Sequence, residues 1–147
     1  YSVRLPSIDY LLQTDRDLQQ VVSAERTLIL TDVGSELYDE VRADYEENLE
    51  QAAARWEKYK SLSATPEQEA IYPLYEEALE KYKASSGKAI YAMLIGTEAA
   101  RANALSISLG EAKTDFDNMR AYLDEVTEIT LALPESESLA GKKTYGR

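Results

Sequence analysis

The sequence predicts an all-α protein folded as an antiparallel, up-down-up-down four-helix bundle. Three observations carry that expectation. Apolar residues recur at alternating spacings of three and four along most of the chain, the period of a helix face rather than of a strand. Only four prolines and six glycines interrupt 147 residues. The few start and stop signals divide the chain into segments of near-equal length, and short turns between such helices leave neighbours antiparallel.

The first helix is expected over about Leu5 to Val33. Its stretch "TDRDLQQVVSAERTLILTD", Thr14 to Asp32, is periodic but sets polar residues on the face that should be buried. One heptad frame runs Ile8, Leu11, Asp15, Leu18, Val22, and the other runs Ile8, Leu12, Asp15, Gln19, Val22. Both put Asp15 on the seam, Gln19 joins one, and Glu25 and Arg26 split between them. An unpaired carboxylate there is costly. Asp15, Gln19 and Glu25 are therefore expected to act as registry devices or dimer-interface hydrogen bonds.

Gly34 closes this segment and Ser35 is the N-cap of the second helix, which extends to Leu62. Its seam is Tyr38, Val41, Tyr45, Asn48, Ala52, Arg55, Tyr59 and Leu62. "TPEQ" (Thr65 to Gln68) is a strong helix start, with a threonine cap, Pro66 at the first helical position and Gln68 closing a capping box. The third helix then reaches Ile95 along Ile71, Tyr75, Ala78, Tyr82, Ser85, Ala89 and Ala92. Pro73 is expected to kink it. "ASSGK" (Ala84 to Lys88) is rich in poor helix formers, so an alternative organisation breaks the helix there and makes five. In "IGTE", Gly96 ends the third helix and Thr97 caps the fourth, from Glu98 to Leu133. Its seam is the most regular: Leu105, Leu109, Ala112, Phe116, Met119, Leu123, Val126, Thr130 and Leu133. Uninterrupted heptads of this kind predict a stiff rod. Residues 1–133 thus form one domain, and 134–147, without apolar period, are expected to fray as a tail or linker.

Composition narrows the function. A net charge of −11 with no basic stretch argues against nucleic acid or an anionic membrane surface as partner. With no cysteine and no histidine, thiol chemistry and the usual general base and zinc ligand are missing. There is also no glycine-rich phosphate loop and no carboxylate metal motif, so neither an enzyme nor a resident cofactor is expected. The longest apolar run, "AIYAMLI" (Ala89 to Ile95), is far shorter than the roughly 20 residues a bilayer demands.

Candidate binding residues follow from register. Counted down from the turns at Gly34 and Gly96, Arg26 falls level with Arg42 and Tyr45, with Lys88 and Tyr91, and with Arg101 to Leu105. Arg26, Lys88 and Arg101 are therefore expected to converge on a carboxylate ligand. Arginine offers a bidentate fork, and Tyr45, Tyr91 and Asn103 would fix orientation. The competing expectation is that these cations sit on outer faces, paired with local acids such as Glu25 or Glu98, where pairs are worth ~0–1 kcal/mol.

Three stretches carry a resemblance: "DRDLQQVVSAERTLIL", "GSELYDEVRADYEENLEQAAARWEKY" and "GTEAARANALSISLGEAKTDFDNMRAYLDEV". They resemble the four-helix-bundle periplasmic ligand-binding domains of bacterial methyl-accepting chemotaxis proteins and some sensor kinases, over about Leu5 to Leu133. The nearest kind is the bundle related to helical bimodular sensors, which recognises small organic acids; that domain stacks two bundles, and this chain matches a single one. The resemblance implies a non-catalytic, homodimeric sensor in the periplasm, part of an inner-membrane protein tethered by flanking transmembrane helices. Ligand binding would displace the fourth helix slightly. The rival expectation is a helical adaptor that binds a partner helix along an exposed apolar stripe, against which the acidic outer face of the second helix speaks.

Overall fold

The computed structural model describes residues 4–134. These form helices α1 (Arg4–Ile29), α2 (Glu36–Lys60) and α3 (Pro66–Met93), then α4 (Glu98–Ile107) and α5 (Lys113–Leu131) joined end to end by a π-helical turn, Ser108–Ala112. The last three elements make one long fourth helix, so the architecture is an all-α four-helix bundle. The expected tail lies outside the described residues except for Pro134 at its edge.

Local chemistry places the helix ends. The Ser35 hydroxyl accepts from the Tyr38 amide at 3.1 Å. At the start of α3 the capping box is complete: Thr65 Oγ1 accepts from the Gln68 amide and Gln68 Oε1 accepts from the Thr65 amide. Thr97 caps α4 by accepting from Ala100 at 3.0 Å. Gly34 and Gly96 take φ of 90° and 80°, left-handed conformations that close the two turns at one pole. α3 runs unbroken through Pro73 and through Ala84 to Lys88, so the five-helix alternative is not realised. Ser85 satisfies itself against the carbonyls of Lys81 and Tyr82. Pro73 and Glu69, whose carbonyl the missing amide would have served, are both exposed.

Two seams differ from the expected ones. In α1 the buried line is Ser7, Leu11, Thr14, Leu18, Val21, Glu25 and Leu28, which keeps Leu11 and Leu18 of the first frame but replaces Ile8, Asp15 and Val22 by their preceding residues. Leu12 is exposed, Gln19 is exposed, and Asp15 sits at the edge. Leu11 and Leu18 are buried in either case; the observed line adds Val21 and Leu28 while leaving Ile8 and Val22 half-buried, and the polar residues on it come in with them. In the fourth helix Leu109 is 51% exposed and Leu105 only half-buried, while Ala100, Ala104 and Ser108 face the interior. The π turn inserts one residue per turn and rotates everything above it. The uninterrupted heptad is thus corrected: the rod has a discontinuity at Ser108–Ala112.

Within each hairpin the backbones run close, α1 on α2 and α3 on the fourth helix, and α1 also packs on α5. α2 meets α3 chiefly through large rings. Trp56 lies with its centroid 5.3 Å from Tyr72 and 4.3 Å from Tyr75. No helix among the described residues is long and apolar enough to cross a membrane.

Candidate functional site

Three acids of α1 each reach a different helix. Asp17, almost fully buried, accepts from Arg55 of α2 at 2.5 Å. Asp15 takes a bidentate fork from Arg120 of α5, at 2.8 and 3.2 Å. Glu25 is 1% exposed and bonds to three hydroxyls. Tyr82 donates to its Oε1 at 2.8 Å and Ser86 to the same oxygen at 2.6 Å, both from α3. Ser108, the first residue of the π turn, donates to Oε2. The proton of Ser86 is committed to Glu25, so the Tyr45 hydroxyl of α2, 2.8 Å away, donates to Ser86. Four elements therefore converge on one buried carboxylate. Burial, and secondarily the Glu25 charge, pushes the Tyr82 phenol far up. Burial raises Tyr45 as well, with Glu25 adding to it. Both phenols remain protonated donors throughout the physiological range.

Beside this node lies a cleft of about 240 Å³ between α1 and the fourth helix. Its polar lining includes Gln19, Glu25, Arg26, Ser108, Lys113 and Arg120, and Phe116 supplies an apolar wall. Arg120 is already engaged by Asp15, and Lys113 pairs with Asp117 at 2.8 Å. Arg26 is different. Its Nε is buried and has no hydrogen-bond partner. A half-buried guanidinium with a free donor at a cleft wall is the chemistry an anion would complete.

The other expected contacts are distributed elsewhere. Arg101 donates to the Ile29 carbonyl and lies 3.3 Å from Glu98 and 3.5 Å from Asp32, which makes it the cap of the α1 C-terminus. Lys88 is on the surface, 3.2 Å from Glu111. Tyr91 is 74% exposed and Asn103 is exposed. Neither Lys88 nor Arg101 lines the Arg26 cleft, so the three cations do not form one cluster there. Tyr45 is in the core network and, with Arg42 and Tyr91, lines a separate cleft between α2 and α3 and not the Arg26 one. Asp15 and Glu25 each bond to other helices of the same chain, and Glu25 is 1% exposed.

Asp17, Ser86, Ser108, Lys113 and Arg120 were not expected. A signal for the node does exist in the sequence: Leu11, Thr14, Leu18, Val21, Glu25 and Leu28 alternate threes and fours without a slip. The partners carry none, since a serine on a small-residue helix face has no distinguishing period. No curated protein and no solved structure matches the chain. A family model described as a four helix bundle sensory module for signal transduction matches residues 1–145. With the bundle in place and nearly the whole chain covered, this protein belongs to that family of four-helix-bundle sensory modules.

Proposed function

We propose that the module is the extracytoplasmic sensor of a transmembrane chemoreceptor, and that it binds a small organic acid in the cleft beside Glu25. The observation that carries this is the Arg26 guanidinium: it lines the cleft, and its buried Nε lacks a partner. A ligand carboxylate would supply one, with Lys113 or Gln19 within the same lining to bind its remaining oxygens. A volume of about 240 Å³ suits a small molecule. Homodimerisation, tethering by flanking membrane helices, and output through a chemotaxis pathway or a histidine kinase belong to the same proposal and rest on the family.

The test is a thermal-shift screen with mono-, di- and tricarboxylates, followed by Arg26→Gln. A ligand at a hundred times its Kd adds about 2.7 kcal/mol, a shift of roughly 5–10 °C in Tm for a domain of this size. Arg26→Gln should abolish the shift while leaving the unliganded Tm nearly unchanged, since the side chain has no ion pair to lose. A panel without hits, or a hit indifferent to Arg26→Gln, refutes the proposed site.

One observation favours a second reading, a module that docks a protein partner. Leu30, Leu37, Tyr91, Leu94 and Ile95 are all exposed near the Gly34 and Gly96 turns. Such a partner would be insensitive to Arg26→Gln and sensitive to Ile95→Glu.

A further inference from the structure

The fourth helix contains two competing seams. Below the π turn, Ala112, Phe116, Met119 and Leu123 are buried. Continued upward as a plain α-helix, that seam runs through Leu109 and Leu105. In the structure it does not. Ala100, Ala104 and Ser108 are buried instead, and Leu109 is exposed. Twelve residues separate Ala100 from Ala112, where three α-helical turns take about 11. The extra residue is the π turn.

We propose that α4 has two helical registers and that the hydrogen bond from Ser108 to Glu25 selects the observed one. In the second register the π turn is absent and α4 is rotated by about 100° and displaced by about 1.5 Å relative to α5. Leu105 and Leu109 are then buried, and Ala100 and Ala104 turn outward. Each register has something the other lacks. The observed one gives Glu25 its third donor and packs Ala104 beside Ile29, Ala89 and Met93. The alternative removes a large exposed leucine from water and restores regular α-helical bonding. Two packings of one sequence that trade a polar bond against an apolar side chain form a bistable element. The sequence around the turn permits the exchange. Gly110 faces open space, so no packed side chain holds the turn from outside. Ser108, Ala112 and Lys113 also line the Arg26 cleft, so an occupant of that cleft touches the element whose register would change. The two-register inference stands on the seams and does not require that ligand.

The chain has no cysteine, so single-thiol variants are clean reporters. Ala104→Cys places a thiol that is buried in the observed register and exposed in the other. Ala52→Cys, at a site 1% exposed in α2, reports only global unfolding. The expected result is that the Ala104→Cys thiol reacts at least tenfold faster than the Ala52→Cys thiol under native conditions, with little dependence on denaturant. Deleting Gly110 removes the extra residue and lets α4 keep its buried face as an unbroken α-helix. It should bring the Ala104→Cys rate down to the Ala52→Cys rate, with circular dichroism confirming the fold. Ser108→Ala, an independent variant, should raise the Ala104→Cys rate about tenfold, the effect of losing one charge-assisted bond. The inference is overturned if both thiols react at one rate. It is equally overturned if deletion of Gly110 leaves the excess in place, because fraying of α4 would then account for it, or if Ser108→Ala changes nothing.

Discussion

Replacing Glu25 tests whether the buried carboxylate organises the bundle. In Glu25→Ala the buried Tyr82 hydroxyl loses the carboxylate to which it donates, at about 1–3 kcal/mol. Ser86 keeps the contact with Tyr45, and Ser108 can turn back onto a carbonyl of its own helix, so each of these contributes nearer ~0.5–1 kcal/mol. The vacated side chain leaves a small cavity worth about 1 kcal/mol more. The sum is about 3–6 kcal/mol, or roughly 10–20 °C in Tm. Glu25→Gln should behave differently. Its carbonyl still accepts from Tyr82 and Ser86, and its amide donates to Ser108, whose hydroxyl reverses. Charge-assisted bonds become neutral ones, but the desolvation of an ion disappears, so the change should stay within about 1.5 kcal/mol. Urea unfolding followed by circular dichroism at matched m-values measures both. The reasoning fails if Glu25→Ala costs under 1 kcal/mol, or if Glu25→Gln is as damaging as Glu25→Ala.

Further outcomes follow from the lower half of the bundle. Tyr75 is fully buried against Trp56 and its hydroxyl has no partner, so Tyr75→Phe should be neutral or stabilising by up to about 1 kcal/mol in the same urea assay. Tyr59→Phe, which removes a hydroxyl bonded to Gln68, should destabilise by a comparable amount. A double-mutant cycle on Asp15→Asn and Arg120→Gln should give a coupling of about 0.5–1 kcal/mol, low because both groups are partly exposed. Burial works against ionisation of Glu76, yet bonds from Lys60 and Trp56 hold its pKa below the usual carboxylate range. Its contribution to stability is therefore present above the ordinary glutamate pKa and is lost as the pH falls through the depressed one. Acid unfolding of the wild type should be steeper there than that of Glu76→Gln.

How much of this is legible in the sequence depends on the range of the chemistry. Helix ends are legible because a cap is a contact within four residues: Ser35, Thr65 and Thr97 announce themselves, and each is used. The seams of α2 and α3 are legible because one apolar line dominates on each. α1 has two lines of similar hydrophobicity, and choosing between them depends on which polar residues find partners on other helices. Arg55 for Asp17 and Ser108 for Glu25 lie 38 and 83 residues away. The π turn is hidden for a related reason: the heptad through Leu105 and Leu109 is real in the sequence, and only the packing of Ala104 and Ser108 overrides it. Of the candidate ligand contacts, Arg26 reaches a cleft because the shifted seam turns it toward α5. Arg101 is drawn instead to the open carbonyls at the end of α1, an attraction no helical wheel displays.

The interior changes character along the bundle, and that bears on how it could move. Below the middle, rings from α2 and α3 interlock, and Gln68 ties Thr130 and Tyr59 at the pole of the chain ends. Near the turns the core shrinks to a separate cluster of Ile29, Ala89, Met93 and Ala104. The Glu25 layer lies between. Apolar contacts tolerate small sliding, because dispersion falls gradually with distance. Hydrogen bonds to a buried carboxylate do not, since losing their geometry leaves polar groups dry and unpaired. The acids of α1 at positions 15, 17 and 25 each clamp a different helix, so α1 cannot slide against its neighbours without breaking them. The bond to Ser108 is the one whose partner sits on an irregular turn, which makes it the contact that can be exchanged while the other clamps hold. The register exchange proposed above would therefore move the fourth helix above Ala112 against a fixed α1.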